Sequence, residues 1–202
     1  MMVEGTVYVV DDDASVRRGF ERLLGASGFA VESFGAAEDF LETRVDEGPA
    51  CLLLDIKMPG LSGLDLQVRL RETGRDLPIV FITGHGDIPS TVQAMRSGAV
   101  DFLPKPVAEE SLLASVRRSL DKDLAGRAKR QHHDGIGQRL GRLTPREREV
   151  FGLVVRGKLN KQIAFELGPS EKTVKVHRGR VMQKMEAESL AELVRMANTV
   201  GL

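Results

Sequence analysis

The chain has 202 residues, 42% of them hydrophobic, enough for one large or two modest domains with real cores. The single cysteine, Cys51, excludes an intramolecular disulfide, and no Cys/His set has structural zinc spacing. With neither a basic, apolar leader nor an apolar run of membrane-spanning length, the sequence reads as a soluble, cytoplasmic protein with no membrane partner. Lys+Arg and Asp+Glu both number 29, yet residues 1–120 hold 12 cations against 19 acids and the remainder 17 against 10, so an acidic half (−7) precedes a basic half (+7). Only the basic half suits nucleic acid, because phosphates repel an acidic surface.

In chain order, "TVYVV" (6–10), "FAVESF" (29–34), "ACLLLD" (50–55), "LPIVFIT" (77–83) and "VDFL" (100–103) read as strands. Between them "ASVRRGFERLLGASG", "AAEDFLETR", "GLDLQVRLRETG", "IPSTVQAMRSG" and the segment from Ala108 onward read as helices, with Gly28, Gly74 and Gly98 as C-terminal stops. Five β–α units imply a parallel sheet covered by helices on both faces, and strands buried on both faces account for the continuously apolar runs. This is α/β architecture with a (βα)5, flavodoxin-like order. Its site is expected at the carboxyl ends of the strands.

Asp11 and Asp12 stand at the carboxyl end of the first strand and Asp55 at that of the third. Three converging carboxylates repel one another unless a cation joins them, and hard oxygen donors at this density suit Mg²⁺. Thr83 after the fourth strand and Lys105 after the fifth reach the same edge. A hydroxyl and an ammonium beside such carboxylates can hold a phosphoryl group. Asp13 is expected only to start a helix, and Cys51 to be a small core residue.

The order "DD", "LLLDIKMPGLSG", "FITGHGD", "VDFLPKP" resembles the receiver domain of bacterial two-component response regulators. The resemblance implies that Asp55 is the phosphoacceptor, that Asp12 binds Mg²⁺ directly and Asp11 partly through water, and that Lys57 lends its backbone carbonyl. It further implies that Lys105 contacts the phosphoryl oxygens, that Thr83 and Phe102 form the switch, and that the Lys105–Pro106 bond is cis. Lys57 and His85 could tune phosphoryl hydrolysis through water access, but ordinary surface roles are the favoured reading for both.

Residues 121–142, "DKDLAGRAKRQHHDGIGQRLGR", are polar and charge-rich. They read as a linker that prolongs the fifth helix before fraying near Gly135 and Gly137. His132, His133 and Asp134 in it read as solvated rather than as metal ligands. "LTPREREVFGLVVRG" then opens a small all-α four-helix domain: Thr144 caps, Pro145 takes the first helical position, Glu147 completes a capping box and Gly157 stops the helix. "NKQIAFELG", capped by Asn160, and "PSEKTVKVHRGRVMQKM", capped by Ser170, form a helix-turn-helix. Val174, Val181 and Met185 should face its core. The other face carries Lys172, Lys175, Val176, Gly179 and Gln183; Lys172, Thr173, Lys175, Val176, His177, Arg178, Gly179 and Arg180 are the DNA-binding candidates.

These helical phrases resemble the LuxR/NarL-type DNA-binding domain, and the whole chain is similar to FixJ-type regulators. The resemblance makes Lys175 and Val176 base-contacting positions and gives "SLAELVRMAN" dimer contacts. Pro169 and Gly179 depart from the family pattern. The expected domains are a receiver over 1–122, a linker over 123–140 and a helix-turn-helix domain over 141–202. The implied function is transcriptional control through a phosphoryl group received on Asp55 from a sensor histidine kinase, with double-stranded DNA as partner, a homodimer formed on phosphorylation and RNA polymerase as a further contact. The protein would be no enzyme beyond its own phosphorylation and dephosphorylation. Two alternatives are a regulator that binds DNA without phosphorylation, using the receiver only to dimerise, and a Mg²⁺-dependent aspartyl-phosphate phosphatase. The phosphatase is disfavoured because Lys57 stands where an Asp-x-Asp pattern needs its second acid, and a dinucleotide enzyme because "DDDASVRRG" replaces a glycine-rich loop.

Overall fold

The computed structural model describes residues 5–45, 48–84, 92 and 94–202. The chain divides into two compact units, Met1–Arg127 and Ala128–Leu202. In the first, β1 (Thr6–Val10), β2 (Ala30–Phe34), β3 (Ala50–Asp55), β4 (Ile79–Thr83) and β5 (Asp101–Pro104) make one parallel sheet in the order β2-β1-β3-β4-β5. Helices α1 (Ala14–Ala26), α2 (Ala37–Glu42) and α3 (Gly63–Glu72) lie between the strands, and α4 (Glu109–Gly141) follows β5. His85 and residues 88–91 and 93 of the expected fourth helix lie outside the described residues; residues 92 and 94–96 are helical.

Alternation along the strands fills two apolar layers. Tyr8, Val10, Leu52, Leu54, Ile79 and Phe81 point into one cluster with Phe40 and Leu66. Val7, Val9, Cys51, Leu53, Val80 and Ile82 point into the other with Leu24, Leu112 and Val116. The central β1, β3 and β4 are buried almost throughout, whereas β2 and β5 at the edges are only partly covered, which is why their sequences are less apolar. Cys51 is a buried core residue, and burial pushes its thiol up to about 12.

The second unit contains the last turns of α4, then α5 (Pro145–Val155), α6 (Asn160–Leu167), α7 (Glu171–Met185) and α8 (Leu190–Thr199). Ile136, Val150, Phe151, Ile163, Val174, Val181, Met185 and Leu193 share its core. The capping box forms as expected: Glu147 N donates to Thr144 Oγ1 at 3.3 Å, and Thr144 N to Glu147 Oε2 at 2.9 Å.

Two expectations are corrected. The helix after β5 does not fray near Gly135 and Gly137 but continues to Gly141, because Ile136 is buried in the second unit's core and anchors that stretch. Asn160 is not the cap of α6: Leu159 precedes the helix, its N–H donates to Gln162 Oε1 at 2.8 Å, and the Asn160 side chain accepts from Arg178 instead. His132, His133 and Asp134 are exposed, with only a 3.7 Å contact between the last two. Among the described residues no helix is long and apolar enough to cross a membrane.

Candidate functional site

Parallel pairing puts the carboxyl ends of β1, β3, β4 and β5 side by side. Asp11 directly follows β1, Asp55 ends β3, Thr83 ends β4 and Lys105 follows β5, so four chemically distinct side chains share one edge. Asp11 and Asp55 are both nearly inaccessible, at 2% and 6% exposure, which is costly for two carboxylates without a counterion. The Lys105 ammonium supplies it, 2.6 Å from Asp11 Oδ2 and 2.9 Å from Asp55 Oδ1. Asp55 Oδ2 also accepts from the Lys57 N–H at 2.8 Å, and Asp11 Oδ1 from the Asp13 N–H at 2.9 Å.

Burial pushes the Asp55 carboxyl above its ordinary value, with Lys105 opposing that shift and Asp11 reinforcing it. Burial works against the Lys105 charge too, but its hydrogen bonds to Asp11 and Asp55 outweigh that and hold the ammonium above its usual value. Asp12 is exposed, and among the described residues no three His, Cys, Asp or Glu side chains are gathered as a metal-holding group. Asp11 and Asp55 are brought together; Asp12 is not. The two buried carboxylates already share one cation between hard oxygens, a donor chemistry that fits Mg²⁺.

The surrounding backbone is built for close approach. A Cβ on Gly63 would stand 2.1 Å from the Asp55 carbonyl oxygen, so only glycine lets α3 begin beside the phosphoacceptor candidate. Asp13 caps α1, accepting from Ser15 N at 2.7 Å and Ser15 Oγ at 2.6 Å, and these hydrogen bonds hold its carboxyl below the ordinary value. It is a helix start, as expected. Thr83 is buried, its carbonyl accepts from Lys105 N at 2.8 Å, and Phe102 is half-buried against the first apolar cluster. The Lys105–Pro106 bond is cis. Sequence reasoning missed Arg17, whose Nη1 donates to the Asp11 and Asp12 carbonyls at 2.6 and 3.1 Å and fixes the loop after β1. Only its place one turn into α1, behind the aspartates, hinted at that.

In the second unit, Gly168 ends α6 with φ +87°, a left-handed turn that glycine takes without strain, and Ser170 caps α7 by accepting from Thr173 N at 3.2 Å. The turn sets two helices in helix-turn-helix order. Val174, Val181 and Met185 are buried, as their spacing requires. Lys172, Thr173, Lys175, Val176, Gly179 and Arg180 are exposed, while His177 and Arg178 are half-buried. Thr173 Oγ1 lies 2.9 Å from Ser170 Oγ, and Arg178 Nη1 donates to Asn160 Oδ1 at 3.3 Å, tying α7 to α6. The other anchor is Glu147, which is buried; Lys184 of α7 donates to it at 2.6 Å and holds its carboxyl down at about 2, with the Thr144 N–H assisting. That pair was also not legible, because 37 residues separate its members.

Residues 7–117 match the response regulator receiver domain family, and residues 141–197 match the bacterial regulatory proteins of the luxR family. The chain is 46% identical to nodulation protein W of Bradyrhizobium diazoefficiens over 97% of its own length and 86% of that protein's. It is 42% identical to the transcriptional regulatory protein FixJ of Azorhizobium caulinodans, over 97% and 93% of the two chains. Among solved structures it is similar to the response regulator StyR, with 50% identity, a TM-score of 0.86 and coverage of 96% and 98%.

Proposed function

Since the chain belongs to the response-regulator family, a receiver domain joined to a LuxR-type DNA-binding domain, and is a transcription regulator rather than an enzyme, we propose that it is switched by a phosphoryl group taken onto Asp55 from the phosphohistidine of a sensor histidine kinase. The observation that supports this most is the pairing of two buried carboxylates on one Lys105 ammonium at the carboxyl edge of the sheet. An Asp55 oxygen attacks phosphorus, the histidine nitrogen leaves with the P–N electron pair, and Asp55 becomes an acyl phosphate. Lys105 neutralises charge on the transferring group, and the Lys57 N–H orients the carboxylate. Asp11 and Asp55 with the Lys57 carbonyl are the residues that would hold Mg²⁺, with Asp12 joining them only once its exposed side chain turns toward the pair, and the ion when bound would supply positive charge to the phosphoryl oxygens.

Once Asp55 is esterified it no longer pairs with Lys105 as a free carboxylate, and the added phosphoryl oxygens offer Thr83 a new acceptor. Thr83 and Phe102, on neighbouring strands, then shift inward together and make the adjoining face self-complementary, which gives a twofold dimer. Two α7 helices engage paired half-sites of double-stranded DNA in the cytoplasm, with Lys172, Lys175, Val176, Gly179 and Arg180 at the bases or nearest phosphates. RNA polymerase is the onward contact.

The test is operator affinity, on a fragment selected from random duplex DNA, for untreated protein, protein treated with acetyl phosphate and Mg²⁺, and Asp55→Asn. Tighter binding on treatment, absent in Asp55→Asn, is expected. Equal affinity in all three would favour a regulator whose receiver serves only to dimerise.

A further inference from the structure

Away from the phosphoacceptor, near the amino-terminal end of β4, the first unit holds a second polar cavity of about 380 Å³, between the end of α3, the segment entering β4, residues 97–98 and α4. Its charged lining is Arg71, Arg75, Lys122 and Asp76, a net +2, and none of these takes part in the site described above. Three cations from three segments converge on a lining that holds a single carboxylate, Asp76. Arg71 is held at the rim by donating from Nη2 to the Ser97 carbonyl at 2.9 Å. Arg75 is half-buried, and its Nη1 is buried with no hydrogen-bond partner among the described residues. A buried guanidinium donor without an acceptor is costly, so this Nη1 is open to an acceptor from the cavity. Lys122 is exposed and adds a mobile ammonium.

We propose that this cavity binds a phosphate dianion, free or carried on a small organic molecule. Two guanidinium forks and an ammonium match the oxygens of a tetrahedral dianion, and the lining's net charge balances a dianion and no more. The cavity exceeds what a bare phosphate fills and lies in the size range of small-molecule sites, with Leu77 and Ile79 forming an apolar wall, so the ester is the occupant it fits better.

Isothermal titration of the full chain in Mg²⁺-free buffer at constant ionic strength tests this, with inorganic phosphate, glycerol 3-phosphate and AMP as probes. The expected result is one saturable site, weakened about tenfold or more by Arg75→Gln and by Lys122→Gln and unchanged by Arg18→Gln, an exposed side chain of α1 outside the cavity. Tighter binding of the esters identifies an organic phosphate, and equal or tighter binding of inorganic phosphate identifies the free ion. Lys122→Gln alters an exposed side chain, so loss of binding there does not reflect misfolding. No saturable binding, or unchanged affinity in both variants, overturns the proposal.

Discussion

As the proposed phosphoacceptor, Asp55 meets two opposed demands: it must be buried enough to exclude water from an acyl phosphate, yet ionised enough to act as a nucleophile. Burial wins by raising its pKa above the ordinary value, and Lys105 limits the excess. The protonated acid is inert, so phosphorylation is present above the folded-state value and lost as pH falls through it. Removing Lys105 deletes the opposing influence. Lys105→Met should therefore move the acid limb of the acetyl phosphate reaction to higher pH and slow the plateau. An unshifted limb in a pH–rate profile would remove Lys105 from this role. The positions of Asp11, Asp55, Thr83 and Lys105 were legible because each stands at a strand end, where register fixes location. Their pairing was not, since the chain-local pattern does not say where the long side chains of Lys105 and Arg17 turn.

Among the elements, β1 and β3 matched their apolar runs to the residue, because burial on both faces leaves a continuous signal. The continuation of α4 was hidden by two glycines and a polar composition. Two apolar residues, buried Ile136 and half-buried Leu140, pack this stretch against the second unit's core, and that packing is tertiary. Asn160 illustrates the same limit: its sequence position suits a cap, but Arg178 claims its side chain. The Glu147–Lys184 pair is the main polar tie between α5 and α7. Glu147 is held down from 4.5 to about 2, so it contributes stability fully above about pH 4.5 and loses it as pH falls toward 2. Glu147→Gln should cost the second unit about 2–3 kcal/mol near neutrality and flatten that acid dependence. Denaturant titrations at several pH values would show it, and equal stability of the two proteins at pH 6 would contradict it. On α7 itself, Lys175 is exposed and unburdened by any structural role in the core. Lys175→Ala should weaken operator binding by about 1 kcal/mol or more while leaving phosphorylation intact, and should lower the salt slope by about one if the contact is to phosphate. Unchanged affinity in a salt-controlled titration would exclude it.

At the scale of the whole molecule, the acidic and basic halves of the sequence correspond to a receiver and a DNA-binding domain, each with its own apolar core. Charge and hydrophobic pattern made that division legible, because each domain must bury its own surface and only one must meet phosphates. In the proposed function, coupling between the two domains rests on the Thr83–Phe102 switch. Thr83→Ala should accept the phosphoryl group yet raise the dimer dissociation constant about tenfold, since the group that answers the phosphate is gone. Normal phosphorylation-driven dimerisation of that variant in sedimentation would refute the switch. The central claim is that the buried carboxylate ending β3 is a phosphoacceptor. Intact mass after incubation with acetyl phosphate and Mg²⁺ tests it most directly, comparing the protein with Asp55→Asn. A single phosphoryl adduct on the first and none on the second is the predicted result. An equal adduct on both proteins, or none on either when beryllofluoride also fails to bind, would contradict it.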